Sequence, residues 1–135
     1  MRFPQNAHVA VVDGTQFRFF RNTGQADAIK LEGIPADEVD ATNKSAGIRD
    51  HEATNRNDGG RHLEELSHAA GVAERLNGMA IAGKIEKIAI IADPSSLGEM
   101  RRHYHTELQN ALVGEIDSTL TNSAVEDIVR ALETA

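Results

Sequence analysis

Cysteine is absent from this 135-residue sequence, which excludes disulfides, thiolate zinc sites and cysteine nucleophiles. Aromatic residues make up only 4% of the chain, so a core must be built mainly from isoleucine, leucine, valine and alanine. Long apolar runs are missing too: the longest, at residues 88–92, has the length of a strand and not of a membrane span. The first residues lack the apolar stretch of a secretory signal. We therefore predict a cytoplasmic protein that binds no membrane.

Positive charge is also in short supply, because 14 lysine and arginine residues face 21 acidic residues and the net charge is −7. This net negative charge repels phosphates, which opposes non-specific binding to nucleic acid or anionic lipid unless a local basic patch overrides it. The length suits one domain with its own core and is short for two. We predict a single domain over residues 1–135.

Strand patterns fill the first third of the chain. Residues 7–13 and 15–21 are β-rich, and Asp13-Gly14 between them is a strong hairpin signal because both residues tolerate positive φ. A third strand is predicted over 28–32. The three together predict an antiparallel meander. Residues 33–60 carry turn-forming and polar residues with little periodicity, which predicts a long irregular loop.

Helical periodicity begins at residue 61 and extends to 82, with Gly83 as a stop signal. Gly71 falls on the face predicted to be exposed. Apolar residues recur three and four positions apart on the opposite face: Leu63, Leu66, Ala69, Ala70, Ala73, Leu76 and Ala80.

The remaining sequence alternates strand and helix signals. Residues 87–92 are almost entirely apolar, which predicts a buried, parallel, central strand. Asp93-Pro94 has the residue types of an N-cap and a first helical position, with a break in the helix expected near 103–105. A strand is predicted at 113–118. The spacing of Ser123 and Glu126 predicts a capping box for a last helix that buries residues including Ala124.

The predicted order is thus β-β-β-α-β-α-β-α. Hairpin-linked strands followed by βα units imply an α/β protein, with a mixed sheet and helices on its faces. This is the element order of the ribonuclease-H-like fold, which we take as the expected three-layer architecture.

Three segments carry a family resemblance: residues 9–20 (Val-Ala-Val-Val-Asp-Gly-Thr-Gln-Phe-Arg-Phe-Phe), the strand-to-helix segment 88–101, and the acidic strand end at 115–121. In this order and spacing they resemble the bacterial host-attachment proteins, a family also described as relatives of archaeal and eukaryotic translation release factors. The resemblance spans nearly the whole chain except the predicted loop.

The release-factor relationship implies alignment with a domain that carries a Gly-Gly-Gln loop just before its long helix, where the glutamine helps to position water for peptidyl-tRNA hydrolysis. The corresponding residues here are Gly59, Gly60 and Arg61, so arginine stands in place of that glutamine. This difference argues against hydrolysis. A Gly-Gly pair at a loop-to-helix junction also has a purely conformational explanation.

Carboxylates suggest a second, metal-dependent interpretation. Asp13, Glu64 or Glu65, and Asp93 lie on the elements where ribonuclease-H-like enzymes hold two metal ions. The alternative is structural, because Asp13 suits a hairpin turn and Asp93 an N-cap. Histidine spacing matches no zinc motif, which favours solvent-exposed histidines. We predict no metal and no cofactor.

Two candidate binding regions remain. Arg101, Arg102, His103 and His105 form a locally basic stretch that could contact RNA phosphate or an acidic partner, or could simply be a solvated helix end. Gly59, Gly60 and Arg61 could bind an anion through backbone N–H groups at a helix N-terminus.

The prediction for function is a non-enzymatic binding module of the host-attachment type, acting on ribosomal RNA or a protein partner in translation. Its predicted contacts are the loop at 33–61, which ends in Gly59, Gly60 and Arg61, and the basic stretch at 101–105. The alternative is a hydrolase, either a metal-dependent nuclease or a peptidyl-tRNA esterase. A structural homo-oligomer is the third possibility.

Overall fold

The computed structural model describes residues 1–35 and 58–135, with side chains from residue 62 onward in the second part. Its strands are β1 (His8–Val12), β2 (Phe17–Asn22), β3 (Leu31–Ile34), β4 (Ile88–Ala92) and β5 (Leu112–Asp117). Its helices are α1 (Asp58–Ile81), α2 (Pro94–Arg101), α3 (Thr106–Ala111) and α4 (Val125–Thr134).

The strands form one mixed sheet in the order β3-β2-β1-β4-β5. β1, β2 and β3 pair antiparallel, whereas β4 runs parallel to both β1 and β5. Every residue of β4 is buried, as its continuous apolar run predicts for a strand covered on both faces. The predicted α/β class and the central position of β4 are confirmed.

Helices cover the two faces of the sheet unequally. Alternation along β4 directs Ile88 and Ile90 to a core shared with α1, α2 and α3. Ala89 and Ile91 face the opposite side, where Ile128 and Leu132 of α4 pack against them. A second, thinner layer therefore rests on one short helix.

The β1–β2 hairpin does not have the predicted two-residue turn. Neither Asp13 nor Gly14 has a positive φ, and the connection is a four-residue loop over 13–16. The Asp13 carboxylate accepts the backbone N–H groups of Thr15 at 2.8 Å and Gln16 at 2.7 Å, which stabilises this longer loop. β2 consequently begins at Phe17.

The third strand is shifted from the predicted 28–32. The carboxamide oxygen of buried Asn22 accepts the N–H groups of Gly24 and Lys30, which holds residues 22–30 as a loop, and β3 starts at Leu31. The predicted irregular segment is shorter at both ends, because β3 includes residues 33 and 34 and α1 begins at Asp58. Its remaining part, residues 36–57, lies outside the described residues.

α1 ends as predicted and is more buried than predicted. Gly83 has a φ of +80°, and the N–H of Lys84 donates to the carbonyl of Met79 in a C-terminal cap. Gly71, expected on the exposed face, is buried because α1 packs against α2 as well as the sheet.

The later helices begin and end at local signals in all but one case. Asp93 caps α2 by accepting the N–H of Ser96, and the predicted break separates α2 from α3. The capping box is wrong: the N-cap of α4 is Ala124, which is exposed and makes no side-chain cap. Carbonyls at 121 and 123 instead accept from Arg18, a contact that no local spacing reveals.

Candidate functional site

A cleft of about 240 Å³ opens between α1 and the C-terminal end of α2. We call it the α1–α2 cleft. Its apolar lining comes from α1, through Leu63, Leu66 and Ala70, which belong to the predicted helical stripe. Glu99, Arg102 and His103 add polar groups from α2 and the residues after it.

His103 lies between two carboxylates. Its Nε2 is 2.8 Å from Oε2 of Glu99 on the preceding turn, and its Nδ1 is 3.8 Å from Oε2 of Glu74 on α1. The ring is therefore an internal link between α1 and α2. It is only 29% exposed, which corrects the expectation of a solvent-exposed side chain.

The turn between α2 and α3, residues 102–105, is fixed by a residue that the sequence interpretation missed. Asn77 of α1 donates from Nδ2 to the carbonyl of His103 at 2.7 Å and accepts the N–H of His105 at 2.9 Å. Asn77 is separated from these partners by 26 and 28 positions, so no local pattern could have found the contact.

Arg101 and Tyr104 contact β5. Both donate to the Glu115 carboxylate, Arg101 at 2.8 Å from Nη2 and Tyr104 at 2.7 Å from its hydroxyl. Burial alone would raise the pKa of Glu115, but these two donors outweigh it and lower that pKa below its usual value. Burial and the hydrogen bond to Glu115 raise the pKa of Tyr104. This cluster ties the end of α2 to the edge of the sheet.

Arg102 and His105 are the outward members of the predicted basic stretch. The Arg102 side chain is 77% exposed and its nearest acid, Glu99, is 3.8 Å away, which is a weak contact. His105 is exposed and accepts the N–H of Glu107 through Nδ1 as the N-cap of α3. A neutral His105 ring therefore carries its proton on Nε2, where it can serve as a donor.

The second predicted contact region lies at the start of α1. Gly59, Gly60 and Arg61 fall within the helix and not in a loop before it, since α1 begins at Asp58. The first N–H groups of a helix have no partner within it. Leu63 and Leu66 of the cleft follow within two turns of this helix start.

The predicted metal ligands are placed as structural acids. Both Asp13 oxygens accept hydrogen bonds, Oδ1 from the hairpin backbone and Oδ2 from the Thr121 hydroxyl. One oxygen of Asp93 caps α2, and the other is buried with no hydrogen-bond partner among the described residues. Glu65 packs against Gly14, where an added Cβ would approach it to 2.7 Å. Within the described residues, no group of three His, Asp or Glu side chains is placed to hold a metal ion.

His68 is a further histidine that is not freely exposed. Its Nδ1 is 2.9 Å from the carbonyl of Asp13, and burial lowers its pKa despite that hydrogen bond and the nearby Asp13 charge. Its position links α1 to the end of β1.

The comparison with family models is decisive for kinship. The model for bacterial archaeo-eukaryotic release factor family 12 matches residues 6–132, nearly the whole chain. The chain belongs to this family. No curated protein and no solved structure gave a match. The release-factor side of the predicted resemblance is thus confirmed, whereas the host-attachment side stays a prediction.

Membership in release factor family 12 makes the start of α1 a candidate functional region, because the predicted counterpart of the Gly-Gly-Gln loop lies there. Among the described helices, none is long and apolar enough to cross a bilayer.

Proposed function

We propose that this member of release factor family 12 is a non-enzymatic binding module that associates with the bacterial ribosome through the α1–α2 cleft and the turn at residues 102–105. The observation that carries the proposal is the α1–α2 cleft, where an apolar wall from α1 adjoins the polar side chains of Arg102 and His103. The start of α1 leads directly into the apolar lining of the cleft, and Arg102 extends from its edge with 77% exposure.

Kinship and chemistry support a binding role over hydrolysis. Release factors act in translation, and a role there would place the protein in the cytoplasm. Arg61 stands where the resemblance expects the glutamine that positions water. Guanidinium donates hydrogen bonds and stays protonated, so it binds oxyanions well and is poorly suited to orient a water for attack.

The architecture is compatible with the same proposal. The sheet order β3-β2-β1-β4-β5, with helices on both faces, supports a ribonuclease-H-like fold. Such a fold hosts many unrelated functions, so the argument for binding depends on the surface and not on the architecture.

Co-sedimentation with purified bacterial 70S ribosomes tests this proposal. We expect wild-type protein to pellet with ribosomes, and Arg102→Glu to weaken the association about tenfold or more through charge reversal at a contact. Arg130→Glu is the matched control, because Arg130 is 69% exposed, pairs with an acid three residues away and lies on α4 across the sheet. Absence of wild-type binding, or equal loss in both variants, would refute the proposed function.

A further inference from the structure

Asn77 provides the contact between α1 and the turn that presents Arg102 and His105. We infer that Asn77 is a positioning residue for ribosome binding, acting through those two outward side chains; this inference rests on the proposed function. It makes α1 responsible both for one wall of the cleft and for the conformation of the turn beside it.

The argument begins with the chemistry of the carboxamide. Asn77 uses its donor on the carbonyl of His103 and its acceptor on the N–H of His105, at 2.7 and 2.9 Å. One neutral side chain thus satisfies two backbone groups of opposite polarity. Alanine offers neither function, and aspartate offers only the acceptor.

The position of these bonds determines what they control. They hold the backbone on either side of Tyr104, immediately after Arg102 and at the N-cap of α3. Short connections between helices lose backbone entropy when they are ordered, and two hydrogen bonds from a rigid helix offset part of that cost before a partner arrives. Binding is then favoured by preorganisation.

The presented groups share one chemistry. The Arg102 guanidinium and the Nε2–H of a neutral His105 are both hydrogen-bond donors on the solvent side of the turn. Arg101, Tyr104 and His103 are engaged internally with Glu115 and Glu99. The group recognised on the ribosome is therefore a hydrogen-bond acceptor, and Asn77 sets the spacing of the two donors that meet it.

A double-mutant cycle on the full-length chain tests this role, with affinity for purified 70S ribosomes as the readout. We expect Asn77→Ala to weaken binding about tenfold in the wild-type background and to have no further effect once Arg102→Ala and His105→Ala are both present. Asn77→Asp, which lacks the donor, should weaken binding as well. The control is Ile128→Val, which trims the core under α4 on the other side of the sheet and should leave affinity unchanged.

Histidine side-chain NMR signals supply a second readout in the free protein. We expect the His105 ring resonances to shift and broaden in Asn77→Ala and to remain unchanged in Ile128→Val. Ribosome binding by the wild type with equal affinity for Asn77→Ala would overturn the inference while the proposed function stands. An additive cycle, in which Asn77→Ala costs as much without the two donors, would overturn it too. Failure of the wild type to bind would instead refute the proposed function on which it rests.

Discussion

At the scale of single residues, several polar contacts join the β1–β2 hairpin to the segment before α4. Buried Thr121 donates its hydroxyl to Oδ2 of Asp13. Arg18 donates to the carbonyls of Thr121 at 3.2 Å and Ser123 at 2.8 Å, and its guanidinium lies 5.0 Å from the centroid of the Phe20 ring. These contacts hold the segment in place although α4 has no side-chain cap.

Thr121→Val removes the hydroxyl of this network while keeping its shape. We expect a loss of about 1–3 kcal/mol in the free energy of unfolding, because Asp13 loses a partner in a partly buried position. Urea denaturation measures the loss. Thr134→Val is the control, since the exposed Thr134 hydroxyl donates to carbonyls of its own helix, and its effect should stay within about 0.5 kcal/mol. Equal effects at both sites would show that the Asp13 contact contributes nothing.

Two histidines predict the response to mild acid. Burial lowers the pKa of His8, with Arg21 adding to the effect, and burial likewise lowers the pKa of His68. The folded state therefore favours their neutral forms. Their contribution to stability is complete above the ordinary histidine pKa of 6.5 and declines as the pH falls below it, because the unfolded chain takes up the protons first.

We accordingly expect the urea midpoint to fall between pH 7.5 and pH 5.5 and to fall less in a His68→Gln variant. Asp13 and Glu115 do not produce this change. Burial acts to raise the pKa of both carboxyl groups, but their hydrogen bonds outweigh it and lower the pKa below the ordinary value, so their contribution is lost only in stronger acid. A midpoint that is constant from pH 7.5 to 5.5 would contradict the assignment to the histidines.

At the scale of elements, two glycines near the end of α1 should respond in opposite directions to the same substitution. Gly83→Ala places a side chain at a φ of +80°, which should cost about 1–2 kcal/mol of stability. Gly78→Ala lies in the helix, exposed, with nothing within 4 Å of the added Cβ, and should stabilise by about 0.5–1 kcal/mol. Thermal unfolding of the two variants beside wild type separates them, and shifts of the same sign would contradict the cap.

Elements with local causes were predictable from sequence. β4 follows from an unbroken apolar run, α2 from Asp93-Pro94, and the end of α1 from Gly83. The start of α4 was not, because the segment before it is held by Arg18, more than 100 positions away. The β1–β2 connection is longer than the predicted two-residue turn. The Asp13 carboxylate accepts backbone N–H groups of this longer loop and so stabilises it.

The sequence could predict which residues belong to the candidate site, but not which partners they contact in the fold. Arg101, Arg102, His103 and His105 are contiguous enough to suggest one basic surface. Some of their partners come from α1 and β5, whereas Glu99 on α2 contacts both Arg102 and His103. Arg101 pairs with Glu115 of β5 while remaining 56% exposed, and His103 is 29% exposed. Arg102 and His105 are exposed. The i,i+4 spacing of Glu99 and His103 could have suggested their contact, whereas the pairing of Arg101 with Glu115 depends on where the fold brings β5.

At the scale of the whole molecule, the sheet has one thickly covered face and one thinly covered face. α1, α2 and α3 share the first, whereas the described residues provide only α4 as a helix on the second. Ile128 and Leu132 are fully buried there against Val9, Val11 and Ile91. The smaller of the two buried clusters thus includes residues of this ten-residue helix.

Leu132→Ala should lower the free energy of unfolding by about 2–5 kcal/mol, because a fully buried leucine leaves a cavity when it is truncated. Chemical denaturation measures the effect, with the exposed neighbour Glu133→Ala as control. We expect no comparable loss in the control. A Leu132→Ala effect below about 1 kcal/mol would mean that α4 is dispensable for the stability of the sheet.

The sheet face covered by α4 also has a consequence for aggregation. Detachment of α4 would expose Val9 and Val11 of β1 and Ile91 of β4 as an apolar surface of the sheet. Partly unfolded molecules that expose such a surface are prone to aggregate. We therefore expect aggregation on mild heating to begin at this face, and substitutions that strengthen the packing of α4 to delay it.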